Sequence, residues 1–129
     1  IVKEVEQAIE QAILKTGNIV VEFTVAPRFK SKSLPACHEW FIEFEGNVVE
    51  INNFKSLLDY ELQKQNKYYK DLIDGKIIEK PVISKIIKGG FKKYMSSIGK
   101  LGGQNKVPKI ADNREIADRL KKLNLIESI

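Results

Sequence analysis

Apolar residues recur at two different spacings along the chain, and the changes in spacing mark the predicted elements. Between residues 2 and 15 they follow the three-and-four spacing of an amphipathic helix, which Gly17 and Asn18 end. Residues 19–25 and 37–45 alternate instead, which predicts two half-buried strands. The segment between them, "APRFKSKSLPA", is basic and contains two prolines. We therefore expect a hairpin with a long, basic connection.

The middle of the chain predicts a long helix followed by a third strand. From about Asn53 to Asp74 apolar residues mark one helix face, and Gly75 ends the helix. Residues 82–88 predict a strand, with Pro81 near its start, where a missing N–H donor is tolerated.

Two further helices follow the break at Gly89 and Gly90. Helical spacing predicts a short helix over residues 91–98, and Asp112 with Glu115 resembles the capping box that begins a last helix. The apolar residues that these two helices are expected to bury are Phe91, Tyr94, Met95, Ile98, Ile116, Leu120 and Leu123.

The predicted order of elements is helix, strand, strand, helix, strand, helix, loop, helix. The economical architecture is an α+β fold, a small mixed β-sheet flanked by helices in two or three layers. At 129 residues, without repeats or an internal linker, we expect a single domain over residues 1–129. The chain opens "IVKEVEQAIE" without an initiator methionine, so we expect it to be a fragment of a longer protein.

Composition excludes several classes of protein. The chain is 43% apolar and 30% charged, and no apolar run approaches the roughly 18 residues of a membrane helix. A single cysteine cannot form an internal disulfide, and no secretory signal is recognisable. We expect a cytoplasmic protein without membrane association.

Positive charge is confined to one stretch. Residues 1–50 carry five basic and eight acidic side chains, whereas residues 80–109 carry eight lysines and no acid. Such a one-signed segment indicates either an anionic partner or a lysine-rich solvated surface.

The chain offers few residues for metal or nucleophile chemistry. Cys37 and His38 are adjacent, so on a strand they point to opposite faces and cannot bind one metal together. We predict no metal site, and we expect His38 to be a packing residue. P-loop, GxGxxG and GxSxG motifs are all absent from the sequence. Paired carboxylates occur on the strand face of Glu39, Glu43 and Glu45, where we expect solvated charge.

The segment "GKLGGQNKVPK", residues 99–109, remains the strongest candidate for binding chemistry. Its glycines permit positive φ and close backbone approach, so the amide groups can face an anion. From composition alone it is either a phosphate-binding loop or a plain flexible connection. The residues that favour phosphate binding are Gly99, Gly102, Gly103, Gln104, Asn105 and Lys106.

The run "KGGFKKYMSSIGKLGGQNKVPK" resembles the C-terminal signature of the Gretchen Hagen family of acyl-acid amido synthetases, also called the auxin-responsive promoter family. Bacterial members carry GKLGGQ-x-K-V-P-R, which the chain matches up to Pro108. "VVEFTVAP" and "HEWFIEFE" are similar to two strand motifs of the family. Two departures stand out: Lys109 replaces an arginine, which alone makes a bidentate contact, and Ala36-Cys37 replaces a glycine.

The resemblance implies the mobile C-terminal lid domain of an acyl-adenylate-forming enzyme. Such an enzyme activates a carboxylic acid with ATP and Mg²⁺, held mainly by a large N-terminal domain, and then conjugates the acyl group to an amino acid or another amine. The implied partners are that N-terminal domain and the small-molecule acyl acid and amine, with no nucleic acid.

The resemblance also implies roles for the loop residues. Lys106 would be the catalytic residue that stabilises charge on the phosphates. The residues implied in phosphate or nucleotide binding are Gln104, Asn105, Lys100, Lys109, Gly102 and Gly103.

Two alternatives remain at this point. The eight lysines with Phe91 and Tyr94 are compatible with a basic phosphate- or nucleic-acid-binding module. However, both aromatic residues follow the helical spacing of core residues. A non-catalytic scaffold domain is the other alternative.

Overall fold

A computed structural model describes residues 1–128, and within this range the chain forms five helices and three strands. In chain order they are α1 (Val2–Thr16), β1 (Val20–Arg28), β2 (Cys37–Phe44), α2 (Ile51–Gln65), α3 (Lys67–Asp74), β3 (Val82–Lys85), α4 (Gly90–Ser97) and α5 (Glu115–Lys122). The predicted α+β class with a small mixed sheet is confirmed. No helix in residues 1–128 is both long enough and apolar enough to cross a membrane.

The sheet has the order β1-β2-β3, with β2 in the centre. β1 and β2 pair antiparallel, with Val25 opposite Trp40, and β2 and β3 pair parallel, with Trp40 opposite Ile83. A parallel pair needs a crossover connection, which α2 and α3 provide. The predicted hairpin is confirmed, and its loop spans residues 29–36 because β1 continues to Arg28.

Helices cover both faces of this sheet, so the fold has three layers. Trp40 and Ile42 of β2 are fully buried against α1 and α2 on one face, and Phe41 is fully buried with residues of α4 and α5 on the other. A strand covered on both sides is apolar at successive positions rather than alternately. Two covered faces therefore explain the run "WFI" in β2.

The helix predicted over residues 53–74 is interrupted at Asn66, so the prediction of one helix is wrong. Asn66 is extended, with φ of −136° and ψ of 104°. Its side-chain oxygen accepts from the N–H of Tyr69 at 2.9 Å and its amide donates to Glu4 at 3.1 Å. An asparagine side chain that satisfies backbone donors favours a helix start over a helix interior. The apolar spacing alone does not show that the side chain of Asn66 competes with the helix for these backbone donors.

The third strand and the last helix also differ from prediction. β3 ends at Lys85, three residues earlier than predicted, and the next residue, Ile86, forms an isolated bridge with Ile126 near the C-terminus. The last helix begins at Glu115, whose N–H donates to the side chain of Asn113, so Asp112 is not the cap. Leu123 lies just after α5 and is 37% exposed rather than buried.

Candidate functional site

The glycine-rich loop connects α4 to the segment that precedes α5. Residues 99–106 are all exposed, and Val107 is buried at 4% exposure. Gly99, Gly102 and Gly103 have φ values of 70°, 86° and 63°. These values lie in the left-handed region, which glycine adopts without steric cost. The predicted positive φ at the three glycines is confirmed.

Hydrogen bonds hold the loop at both ends. On the α4 side, the N–H of Lys100 donates to the carbonyl of Met95 at 2.9 Å. On the other side, the hydroxyl of Thr24 donates to the carbonyl of Pro108 at 2.7 Å, and the N–H of Val25 donates to the carbonyl of Lys109 at 3.0 Å. The exit of the loop therefore runs beside β1, and Lys106 directly precedes the buried anchor Val107.

The tip of the loop has few internal contacts. The side-chain amide of Asn105 donates to the carbonyl of Gly102 at 3.3 Å, which closes a tight turn. The backbone N–H groups of Gly102, Gly103, Gln104 and Lys106 donate to no other group within residues 1–128. Exposed amide donors on a glycine turn are suited to contact an anion.

One wall of a cleft of about 770 Å³ is formed by this loop, and we call it the glycine-loop cleft. The cleft lies between the loop, the start of α4 and the end of β2 that Phe44 occupies. Four lysines and four glutamates line it, so its formal charge is balanced. They are Lys88, Lys92, Lys100, Lys106, Glu22, Glu43, Glu45 and Glu127.

Glu43 is a structural carboxylate, in contrast to the expected solvated one. Its residue is 5% exposed, and its two oxygens accept from the N–H of Gly89 at 2.9 Å and the N–H of Phe91 at 3.2 Å. A carboxylate at this point satisfies free donors of α4 and faces the positive end of its dipole. Both glycines are needed at this turn, since φ at Gly89 is 74°, in the left-handed region, and a Cβ at Gly90 would collide with the side chain of Ile86.

The expectation of solvated charge is also wrong for Glu39. Its carboxylate accepts from Arg114 at 2.7 Å and from the hydroxyl of Ser84 at 2.6 Å, and its side chain is 13% exposed. Glu45 is exposed, as expected. Glu39 and Glu43 lie within β2, whose second face is covered, whereas Glu45 follows the end of the strand, which is why only the first two have partners in the fold.

Lys109, the residue that departs from the family pattern, is ion-paired in this structure. Its Nζ lies 2.6 Å from a carboxylate oxygen of Glu22 and 4.9 Å from the centre of the Phe23 ring. Both side chains of the pair are partly exposed, at 30% for Lys109 and 22% for Glu22. The pair ties the exit of the loop to β1. A contact between Lys109 and phosphate stays a prediction.

The single histidine and the single cysteine have packing environments. The His38 ring stacks on Tyr69 with centroids 5.3 Å apart, and burial lowers the pKa of His38. Burial raises the pKa of the Cys37 thiol. The predicted packing role of His38 is confirmed. Among residues 1–128, no group of three or more His, Cys, Asp or Glu side chains is arranged to hold a metal ion.

Phe91 and Tyr94 are 3% and 6% exposed and belong to the core beneath α4. The prediction that they are core residues is confirmed. Neither ring is available for stacking on a nucleic-acid base.

Sequence reasoning missed the role of Glu43. One signal was present, because the glutamate lies between Ile42 and Phe44 in an apolar strand, but only the fold places Gly89 and Phe91 beside it.

Comparison with known families and structures gives one family match. The model of the GH3 family C-terminal domain matches residues 3–115. A search of the curated proteins found no match.

Solved structures that resemble the chain include two of an acyl acid amido synthetase. "GH3.15 acyl acid amido synthetase" superposes with a TM-score of 0.73 at 17% identity, and "AtGH3.15 acyl acid amido synthetase in complex with 2,4-DB" with a TM-score of 0.71 at 17% identity. In both, the match covers 97% of this chain and 24% of the other. The chain therefore spans about a quarter of the length of these structures, and the likeness is one of fold.

Proposed function

Because the chain belongs to the GH3 (Gretchen Hagen) family and matches the C-terminal domain of that family, we propose that it is the C-terminal domain of an ATP-dependent acyl acid amido synthetase. The intact enzyme activates a carboxylic acid as an acyl-adenylate and transfers the acyl group to an amino acid or another amine. ATP and the acyl acid bind mainly to a large N-terminal domain, on which this domain closes as a lid. The sequence pattern of the loop favours a bacterial member.

The observation that carries the proposal is the position of Lys106. Its ammonium group is on an exposed loop anchored on both sides, and within residues 1–128 it forms no salt bridge. A lysine presented in this way is free to approach a ligand on another domain. Negative charge on the transferring phosphoryl group and on pyrophosphate is stabilised by such a cation, chiefly in the transition state.

The neighbouring residues support this role for Lys106. The free N–H groups of Gly102, Gly103 and Gln104 add neutral donors beside the cation, and Lys100 adds a second exposed charge on the same loop. We assign Asn105 to the turn itself, since its amide closes on Gly102. Lys109 contributes through its pair with Glu22, which limits how far the exit of the loop can move.

Substitution of Lys106 in the intact protein that contains this chain tests the proposal. We expect Lys106→Ala to slow ATP–pyrophosphate exchange by about 100-fold or more, the loss typical of removing one preorganised donor from developing charge. The stability of the domain should change by less than about 0.5 kcal/mol, because the side chain is exposed.

Lys93→Ala is the matched control, because Lys93 is an exposed lysine of α4 outside the lining of the glycine-loop cleft. Unchanged exchange in Lys106→Ala, or an equal loss in Lys93→Ala, would contradict the assignment.

The nucleic-acid alternative is disfavoured by two observations. The glycine-loop cleft is charge-balanced, and the two aromatic residues of the lysine-rich stretch, Phe91 and Tyr94, are buried. Measurement of nucleic-acid affinity across a salt series tests it directly, since a phosphate-binding surface has a steep salt dependence.

A further inference from the structure

A second cleft, of about 580 Å³, lies at the Arg28 end of β1, and we call it the basic cleft. Its charged lining consists of Arg28, Lys55, Lys76, Lys80 and a single acid, Glu79. We propose that the basic cleft binds a small organic anion in which a carboxylate or phosphate group is joined to an apolar body.

No ion pair within residues 1–128 compensates the charges of the basic cleft. None of its four basic side chains forms a salt bridge with a carboxylate of residues 1–128, and Glu79 forms none either. A concave site lined mainly by one sign of charge on low-dielectric walls concentrates ligands of the opposite sign. The basic cleft therefore selects anions.

Arg28 has most of its hydrogen-bonding capacity unused. Its Nη2 donates to the carbonyl of Pro35 at 3.4 Å, a long bond, and its buried Nε has no partner in the part of the chain described. A guanidinium offers five donors in a planar fork that matches a carboxylate or phosphate. An anion in the basic cleft would use these donors.

The remaining lining is apolar and comes from Pro35, Ile73, Ile78, Pro81 and Val82. These side chains can pack against an apolar group of a ligand, which an inorganic ion lacks. The volume lies within the roughly 300–1,000 Å³ of small-molecule sites. Charge beside an apolar wall, at this size, fits a small amphiphilic anion.

Backbone hydrogen bonds fix the wall that carries Lys76 and Lys80. The N–H of Glu79 donates to the carbonyl of Ala36 at 2.8 Å, which joins this segment to the residue preceding β2. The N–H of Lys76 donates to the carbonyl of Ile73 at 3.0 Å. The two lysines are thereby held at the same end of the sheet as Arg28, where β1 ends and β2 and β3 begin, so the basic cleft exists before a ligand enters.

Titration of the ¹⁵N-labelled 129-residue chain tests the proposal by NMR. We expect 1-naphthoate and 1-naphthyl phosphate to shift, saturably, the amide signals of residues 76–82 and Arg28. Their relative affinities identify whether the carboxylate or the phosphate group is preferred. Inorganic phosphate should bind more weakly at the same signals, and 1-naphthylmethylammonium should not bind there.

Charge-removing variants give the quantitative test. Lys76→Gln and Lys80→Gln remove the charge of exposed side chains that form no salt bridge within residues 1–128, so each should weaken 1-naphthoate binding by about twofold to fivefold, the effect of one exposed charge pair. Arg28→Lys keeps the charge but removes the fork, and should weaken binding further than either. Lys122→Gln, which removes one exposed charge on α5, should leave affinity unchanged.

Equal binding of 1-naphthoate to Lys80→Gln and Lys122→Gln, or shifts that centre on residues 100–107, would overturn the proposal. Binding of 1-naphthylmethylammonium at residues 76–82 would also overturn it, since an apolar wall alone would then explain the binding. Lys106 has no part in this test, so its outcome is independent of the proposed amido synthetase activity.

Discussion

The two clefts of this domain use charge in opposite ways. In the glycine-loop cleft four lysines face four glutamates, and Glu22 and Glu43 are already committed to Lys109 and to the start of α4. In the basic cleft four cations face one acid, and none of them is in a salt bridge within residues 1–128. The comparison shows that the number of lysines in a segment does not determine the electrostatic potential at a site, because nearby carboxylates can balance them.

The difference has a simple origin in the sheet. Residues 1–50 carry the excess of acid, and their strands β1 and β2 place Glu22, Glu43 and Glu45 against the lysine-rich stretch. The basic cleft draws its cations from β1, α2 and the segment after α3, where only Glu79 is present. Lys106 is then one exposed cation among balanced charges, which suits its proposed role at phosphates bound by another domain.

Glu43 gives the largest predicted effect, because its charge is used structurally. Glu43→Gln replaces one accepting oxygen by an amide that cannot accept from Gly89 or Phe91. We expect the free energy of unfolding to fall by about 2–3 kcal/mol, the range for a buried hydrogen bond to a charged group. Chemical denaturation of the 129-residue chain measures it.

Glu45→Gln is the control for this prediction, since Glu45 lines the same glycine-loop cleft but is exposed. We expect a change below about 0.5 kcal/mol there. Similar losses for the two variants would mean that the contrast between committed and free charge is wrong.

The pair of Glu22 and Lys109 should give an intermediate effect. A double-mutant cycle with Glu22→Gln and Lys109→Gln should report a coupling of about 1 kcal/mol, the upper range for a partly exposed ion pair. Lys109→Arg should retain most of it, because the charge remains opposite Glu22. If the two single substitutions prove additive within error, the pair does not hold the loop exit.

The smallest effects are expected in the basic cleft. Lys55→Gln and Lys80→Gln should each change the free energy of unfolding by less than about 0.5 kcal/mol, because neither lysine pairs with a carboxylate. Thermal and chemical denaturation of the two variants measure it. A loss above 1 kcal/mol in either variant would show that the cations of the basic cleft have a structural role, as Glu43 does.

Much of the candidate site was predictable from local sequence. Residue type predicts the positive φ of the three loop glycines and the exposure of Lys106. Helical spacing predicts the burial of Phe91 and Tyr94. Each of these features depends on a few consecutive residues or on one helix face. It can therefore be predicted without knowing which distant residues pack beside it.

Other features depended on contacts with residues distant in the chain, which the spacing of apolar residues does not show. Asn66 continues the apolar helical pattern around it, yet its side chain satisfies Tyr69 and Glu4 and divides the helix. Glu43 follows the alternation of a half-exposed strand, yet α4 covers that face. In both cases a partner distant in sequence decided the outcome.

The sequence by itself therefore determined the class of fold, most of the elements, and the exposure and positive φ values of the glycine-rich loop, because hydrophobic period and backbone freedom are local properties. Only the tertiary structure decided which charges are free. Ion pairing and desolvation depend on distances of a few ångströms between residues such as Glu22 and Lys109, which are 87 positions apart in the chain. Carboxylates lie close enough to balance the lysines of the glycine-loop cleft, whereas the basic cleft has a single acid, Glu79, for four cations.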